Sequence, residues 1–173
     1  MGNGIDDRYF RDVLGNVPTS VVAVTAPGPD ELPAGMIVGS FTSVSLDPPL
    51  VSFLADRSSS TLPKILDGGQ FCANALASDQ EPLSRRLAVR GPHKFDGVAW
   101  QRSPLGNPVL DGVLAWIDCT IDRAVDIGDH VLVVGAVQDL RAFPPRNPLL
   151  FFRGGYGDYF STTAQLLDRL VDW

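Results

Sequence analysis

An antiparallel, barrel-like β fold in one domain is what this sequence predicts, on three observations. Its 17 glycines and 14 prolines in 173 residues exceed the roughly 12% average for the two together and show no Gly-X-Y period, so tight turns are many. Strand-like segments recur along the chain, and the few helical segments do not fall one between each pair of strands, as a doubly wound βαβ fold requires. The 45% hydrophobic content and mean hydropathy of +0.08 supply a core for a single domain and exclude a disordered chain.

The elements follow in order. Ile5, Tyr9, Phe10, Val13 and Leu14 recur on one helical face, with Asp6 or Asp7 at the start and Gly15 at the end, so a helix is expected over 5–15. Thr19 to Ala26 is β-branched and bounded by prolines, which reads as a strand. Ala34 to Leu46 offers two strand pieces, Asp47-Pro48-Pro49 breaks the pairing, and Leu50 to Ala55 resumes it. Ser58-Ser59-Ser60-Thr61 offers caps for a short helix that Gly68-Gly69 stops. Gln70 to Leu76 reads as a strand, and Ser78 with Glu81 matches a capping box for a helix over 79–89. The Gly- and Pro-rich stretch 91–111 reads as irregular. Val113 to Arg123 alternates Ala115, Ile117, Cys119 and Ile121 against Trp116, Asp118, Thr120 and Asp122, a half-buried strand. A hairpin through 126–129 leads into a long strand, His130 to Ala142, then another at Leu149 to Phe152. Leu166, Leu167, Leu170, Val171 and Trp173 after Ser161-Thr162 predict a closing amphipathic helix over 162–172.

Composition excludes several functions. A formal net charge of -6 disfavours nucleic acid as a partner. With no run of 18 apolar residues and no basic leader, the expectation is a protein that neither spans a membrane nor is exported. Two cysteines, Cys72 and Cys119, make no disulfide framework and read as buried thiols of a reducing cytoplasm. Two histidines without paired spacing make no zinc site. Asp129 and His130, as neighbours in a strand, should point to opposite faces, which excludes an orienter-to-base pair between them. Neither a Gly-x-Ser-x-Gly elbow nor a Rossmann or P-loop phosphate cradle is present.

Two features remain. Ser40, Thr42, Ser43 and Ser45, then Ser58, Ser59, Ser60 and Thr61, place hydroxyls at strand ends and a helix start, where hydroxyls and free N–H groups bind phosphate or simply cap. Arg85, Arg86, Arg90, His93 and Lys94 gather positive charge on a helix and the loop after it, either as a solvated face or as an anion site. Arg85 and Arg86 stand 100° apart on a helix, so at most one enters a given pocket.

At Phe41-Thr42-Ser43-Val44-Ser45-Leu46-Asp47-Pro48-Pro49-Leu50-Val51, followed by Asp56-Arg57-Ser58-Ser59-Ser60-Thr61, the chain resembles the flavin reductase family with the FMN-binding split barrel. Further blocks match in order: Phe71-x-x-Asn74-x-Leu76, Ser84-Arg85-Arg86, Lys94-Phe95-x-Gly97-Val98-x-Trp100, Gly128-Asp129-His130 and Phe152-Arg153-Gly154-Gly155-Tyr156, a similarity spanning 17–160. The resemblance implies an antiparallel split β-barrel with a few peripheral helices, and a cytoplasmic homodimer. It implies hydride transfer from NADH or NADPH to FMN or FAD, and a flavin-dependent monooxygenase that receives the reduced flavin.

By position, Met36, Val38, Gly39, Ser40 and Ser43 would run along the flavin ring, and Asp56, Ser58, Ser60 and Thr61 along its ribityl and phosphate end. Asn74, Ser84 and Arg85 would complete that site. His130 would be the catalytic contact to the nicotinamide nucleotide, with Arg153, Gly154 and Tyr156. Ile37 and Gly39 depart from the family's usual Thr and Ser or Asn, removing two polar groups near the ring. An oxidase of the pyridoxamine-phosphate type and a flavin- or haem-binding module stand as alternatives. The residues themselves do not choose between FMN and FAD, or between NADH and NADPH.

Overall fold

The computed structural model describes residues 4–28, 32–91 and 93–160, and the helix expected over 162–172 lies outside them. Helix α1 (Asp7–Leu14) starts where the Asp6 carboxylate accepts the Tyr9 N–H at 2.9 Å. None of its residues is buried, and Tyr9, Phe10, Val13 and Leu14 hold their apolar surface in the open.

The strands are β1 (Thr19–Ser20), β2 (Val22–Pro27), β3 (Pro33–Val38), β4 (Thr42–Leu46), β5 (Pro49–Asp56) and β6 (Gln70–Ala75), then β7 (Trp100–Arg102), β8 (Pro108–Leu110), β9 (Ala115–Ile127), β10 (His130–Ala142), β11 (Leu150–Phe152) and β12 (Gly155–Gly157). Seven of them form one antiparallel sheet in the order β3-β2-β6-β9-β10-β5-β4. Its two edge strands, β3 and β4, are consecutive in the chain. An open seven-stranded sheet would separate its edges by about 29 Å at ~4.8 Å per strand, whereas the four steps from Val38 to Thr42 reach at most about 14 Å. The sheet therefore curls into a barrel. Ser40, in the link, pins the closure by donating to the Leu54 carbonyl at 3.2 Å and accepting the Leu54 N–H at 2.9 Å.

Apolar side chains from both halves of the sheet fill the interior. Phe53 and Phe71 meet edge to face with centroids 5.2 Å apart, both wholly buried. Gly135 lies against that pair, since a Cβ there would come within 2.5 Å of the Phe71 ring. Cys72 and Cys119 are free and buried, and burial pushes both thiols up, Cys119 to about 12. No helix among the described residues is long and apolar enough to cross a membrane.

Several expectations need correction. The stretch 91–111 is not wholly irregular, because β7 and β8 pair within it, Trp100 opposite Leu110. Their loop covers β9, where the wholly buried Asp118 accepts the Leu105 N–H at 3.0 Å and the Asn107 amide at 2.8 Å. Trp116 and Asp118, set by alternation against the apolar face of a strand expected to be half-buried, are both buried, Asp118 under that loop and Trp116 beside Val109 of β8. Pairing resumes at Pro49, opposite Leu46, in a tight hairpin that contains a cis Asp47–Pro48 bond. The strand expected over 19–26 breaks at Val21, sending Thr19–Ser20 to a second sheet of order β1-β11-β12, and β12 itself was not expected.

Helix α2 (Leu62–Gly68) is capped by the Ser59 hydroxyl, which accepts the N–H groups of Thr61 at 3.2 Å and Leu62 at 3.3 Å. Helix α3 (Glu81–Ala88) follows a 3-10 turn, Ser78–Gln80. Ser78 and Glu81 do not form the expected capping box. The Gln80 amide oxygen accepts the Ala77 N–H at 3.0 Å, while Glu81 pairs with Arg85 at 2.7 Å.

Candidate active site

Where β5 ends, the chain turns through Asp56 to Thr61 into α2 and lies beside β3 and the end of α3. The cleft between them, about 190 Å³, is lined by Met36 and Ile37 of β3, the Asp56 and Ser58–Thr61 turn, and Arg90 and Lys94. Asp56 shapes the turn by accepting the Ser58 N–H at 2.7 Å. Hydrogen bonds from Ser58 hold its carboxyl below the usual carboxylate range, with smaller help from His130 and Arg90.

Two cations point into this cleft. Arg90 donates to the Ser58 hydroxyl at 3.1 Å, and Lys94 to the Gly35 carbonyl at 3.2 Å and the Thr61 hydroxyl at 3.5 Å. Burial, then the charge of Lys64, lowers Lys94 from the ordinary lysine value. Neither forms an ion pair with a carboxylate among the described residues. The Ser58, Ser60 and Thr61 hydroxyls with Arg90 and Lys94, in an acidic chain, fit an anionic group such as a phosphate. Ser59 was expected as a phosphate-binding or capping hydroxyl, and Arg90 and Lys94 as either a solvated face or an anion site, but none of the three was assigned to the flavin by the resemblance. The positive run 85–94 was visible in the sequence, but which of its members turn inward depends on how α3 is set against β3.

The wall continues along β3 to a second niche of about 160 Å³, lined by Thr19, Ser20, Val21, Ile37, Val38, Gly39, Phe151 and Tyr156. Ile37 borders both cavities, so Met36 to Gly39 forms one continuous strip between them. A Cβ on Gly39 would sit 2.8 Å from the Thr19 hydroxyl, so glycine is what lets these strands approach. The departure from the family's Ser or Asn thus has a local cause in Thr19. At this end Tyr156 shares a 2.9 Å hydrogen bond with Ser84, and Arg85 stacks over its ring at 4.9 Å.

The expected site residues therefore divide. Met36, Asp56, Ser58, Ser60 and Thr61 line the first cleft, and Val38, Gly39 and Tyr156 the second niche, with Ser84 and Arg85 attached to Tyr156. Ser40 is held by Leu54, and Ser43 lies exposed on edge strand β4. Asn74 is corrected to an interior residue. Wholly buried, it donates to Thr25 Oγ1 at 3.0 Å and to the Ala23 carbonyl at 3.2 Å, and it accepts the Leu110 N–H at 2.9 Å.

His130 begins β10 opposite Asp56. Contrary to the strand-alternation argument, its Nδ1 lies 2.6 Å from Asp129 Oδ1. Asp129 is the second residue of the two-residue turn Gly128–Asp129, where Gly128 has φ +60°, so alternation does not apply to it. Arg153 has φ +49° in the tight turn to Gly154, and its Nε donates to Asn16 at 2.9 Å. No hydrogen bond, ion pair or ring contact among the described residues joins His130 to that turn.

A curled antiparallel sheet with a hydroxyl-lined cleft at one strand end, edged by Arg90 and Lys94, defines a split β-barrel with a candidate anion site. The flavin reductase like domain matches residues 14–159, and the chain belongs to that family. It is 48% identical to a flavin reductase of Pseudomonas putida over 91% of this chain and 92% of that one. It is 43% identical to the reductase subunit HsaB of a flavin-dependent monooxygenase from Mycobacterium tuberculosis, over 90% and 84%. Among solved structures, a nitrilotriacetate monooxygenase component B homolog from Mycobacterium thermoresistibile superposes with a TM-score of 0.86 at 42% identity, covering 92% of this chain and 89% of that one. An NADH:FAD oxidoreductase of Streptomyces globisporus, solved with NAD and FAD fragments, gives 0.85 at 33% identity over 94% and 99%.

Proposed function

We propose that this protein is an NAD(P)H:flavin oxidoreductase that transfers hydride from NADH or NADPH to FMN or FAD and supplies the reduced flavin to a flavin-dependent monooxygenase. The carrying observation is the cleft at Asp56–Thr61, where Arg90 and Lys94 stand beside a hydroxyl-rich turn and, among the described residues, form no ion pair. Bound there, flavin supplies the hydride acceptor, so the protein needs no nucleophile of its own. Its contribution is alignment. The strip Met36–Gly39 would support the ring, the Asp56–Thr61 turn with Arg90 and Lys94 would hold the phosphate, and His130, oriented by Asp129, would steady the dinucleotide.

The proposal includes a cytoplasmic homodimer. His130 and the Arg153–Tyr156 turn lie in different sheets, and the apolar face of α1 is uncovered, so a second copy would both cover that face and complete the nicotinamide side. Mixing the protein with FMN or FAD and NADH or NADPH should bleach the nicotinamide absorbance far faster than the protein-free control. A rate equal to the control in all four combinations overturns the reading.

A further inference from the structure

Strand β3 carries a glycine that its backbone does not require. Gly35 lies outside the left-handed region, so an alanine there would meet no strain from its own φ. What excludes a side chain is space. A Cβ on Gly35 would stand 2.8 and 3.0 Å from Cζ and Cε2 of Phe95, nearer than carbon atoms pack. Phe95 is itself held. Its ring packs against a buried cluster that includes Val21, Ala23 and Leu87, and Arg86 fixes the next residue by donating to the Asp96 carbonyl. A ring pushed off Gly35 therefore takes its loop with it. The residue before Phe95 is Lys94, whose Nζ donates to the Gly35 carbonyl at 3.2 Å and to Thr61 Oγ1 at 3.5 Å. Thr61 Oγ1 donates to the same carbonyl at 3.3 Å. Gly35 thus meets the Phe95 ring through its missing side chain, and the Lys94 ammonium and Thr61 hydroxyl through its carbonyl. Lys94 and Thr61 line the cleft, whereas Gly35 and Phe95 do not, so contact with a ligand there does not account for the close fit of glycine and ring.

We infer that Gly35 is a positioning residue of the cleft: its bare α-carbon seats the Phe95 ring, and the seated ring sets Lys94 over the Asp56–Thr61 turn. For the ligand, the phosphate of a flavin, this rests on the flavin reductase reading above; for the placement of Lys94 it does not.

Two measurements on the full chain test it, comparing wild type with Gly35→Ala and with the double variant Gly35→Ala/Phe95→Leu, whose shorter side chain leaves room for the new methyl. In calorimetric titration, Gly35→Ala should weaken FMN about tenfold, the effect of displacing one charge-assisted contact. Riboflavin should stay within about twofold, which also reports that the variant is folded. The double variant should recover most of the FMN affinity. Phe95→Ala, which keeps Gly35 and removes the ring it seats, should repeat the selective loss of FMN. The second measurement needs no flavin. The chain has two lysines, Lys64 and Lys94, so lysine labelled with 13C at Cε gives two resonances. That of Lys94 should move in Gly35→Ala, with Lys64 unmoved, and return towards its wild-type position in the double variant. Riboflavin weakened as much as FMN, FMN unchanged in Gly35→Ala or Phe95→Ala, or a double variant no better than Gly35→Ala overturns the inference. So does a Lys94 resonance that Gly35→Ala leaves in place. If neither flavin binds wild type, the flavin reductase reading falls, and the Lys94 resonance alone decides whether Gly35 positions that side chain.

Discussion

The two ends of the β3 strip are built to different degrees. At the Asp56–Thr61 end, β3, the turn, α3 and the loop after it converge, and hydrogen bonds such as Arg90 to Ser58 and Lys94 to Gly35 tie them together within one chain. At the other end, Tyr156 is anchored by Ser84 and Arg85, but the neighbouring Arg153 is tied to Gly15 and Asn16 just after α1, and among the described residues His130 bonds to neither. On the proposed reading, one chain finishes the anchor for the flavin phosphate and leaves to a second copy the face that the departing nicotinamide nucleotide would use. That division suits an enzyme whose two substrates must stack and then separate.

The first way to break this comparison concerns what is architecture and what is site. Asn74→Ala should cost about 2–3 kcal/mol in chemical unfolding, because it strands the Leu110 N–H and removes the bonds to Thr25 and Ala23. Flavin affinity of the folded fraction should be unchanged, and a selective loss of flavin would return Asn74 to the site. A smaller effect is expected at His130. His130→Ala should raise the KM for the nicotinamide nucleotide about tenfold, near 1.4 kcal/mol, with flavin Kd unmoved. Equal changes in both would place His130 at the flavin end.

The smallest effect is on pH. Asp126 is held below the ordinary carboxylate value by the hydrogen bond and charge of Arg57, Asp129 by those of His130, and Asp56 by Ser58. A carboxylate lowered by folding contributes stability that is full above its unfolded value, about pH 4, and lost as pH falls through the lowered folded value. Thermal midpoints should therefore be level with respect to these groups above about pH 5 and fall below 4, and Asp126→Asn should flatten that acid limb slightly. An acid limb unchanged by Asp126→Asn would remove the Arg57 pair from the account.

Much of the barrel was legible because its long strands carry their own patterns. His130–Ala142 has the bounds expected, and the hairpin before it was marked by Gly128-Asp129. What escaped was made by tertiary contact. Strands of three residues such as β7, β8 and β12 are too short to show a period and exist because a neighbour pairs with them. The second burial face of β9 depends on the 103–107 loop, which pattern alone does not fold back.

The site shows the same split. The hydroxyls of Ser58–Thr61 marked a candidate anion site or a cap through local chemistry, and Ser59 does cap α2, whereas Arg90 and Lys94 join that cleft only through the docking of α3 against β3. The Asp129–His130 contact escaped because strand alternation was applied to a turn residue. Asn74 was carried by position into the flavin site, and position along a chain contains no information about depth.

The central claim is that the Asp56–Thr61 turn with Arg90 and Lys94 grips a flavin by its phosphate, and comparing FMN with riboflavin tests it most directly. Two charge-assisted contacts at ~1.5–3 kcal/mol each predict that FMN binds at least about 100-fold tighter than riboflavin, and that Lys94→Met removes a large part of the difference without weakening riboflavin. Riboflavin binding as tightly as FMN, or Lys94→Met weakening both alike, would contradict it.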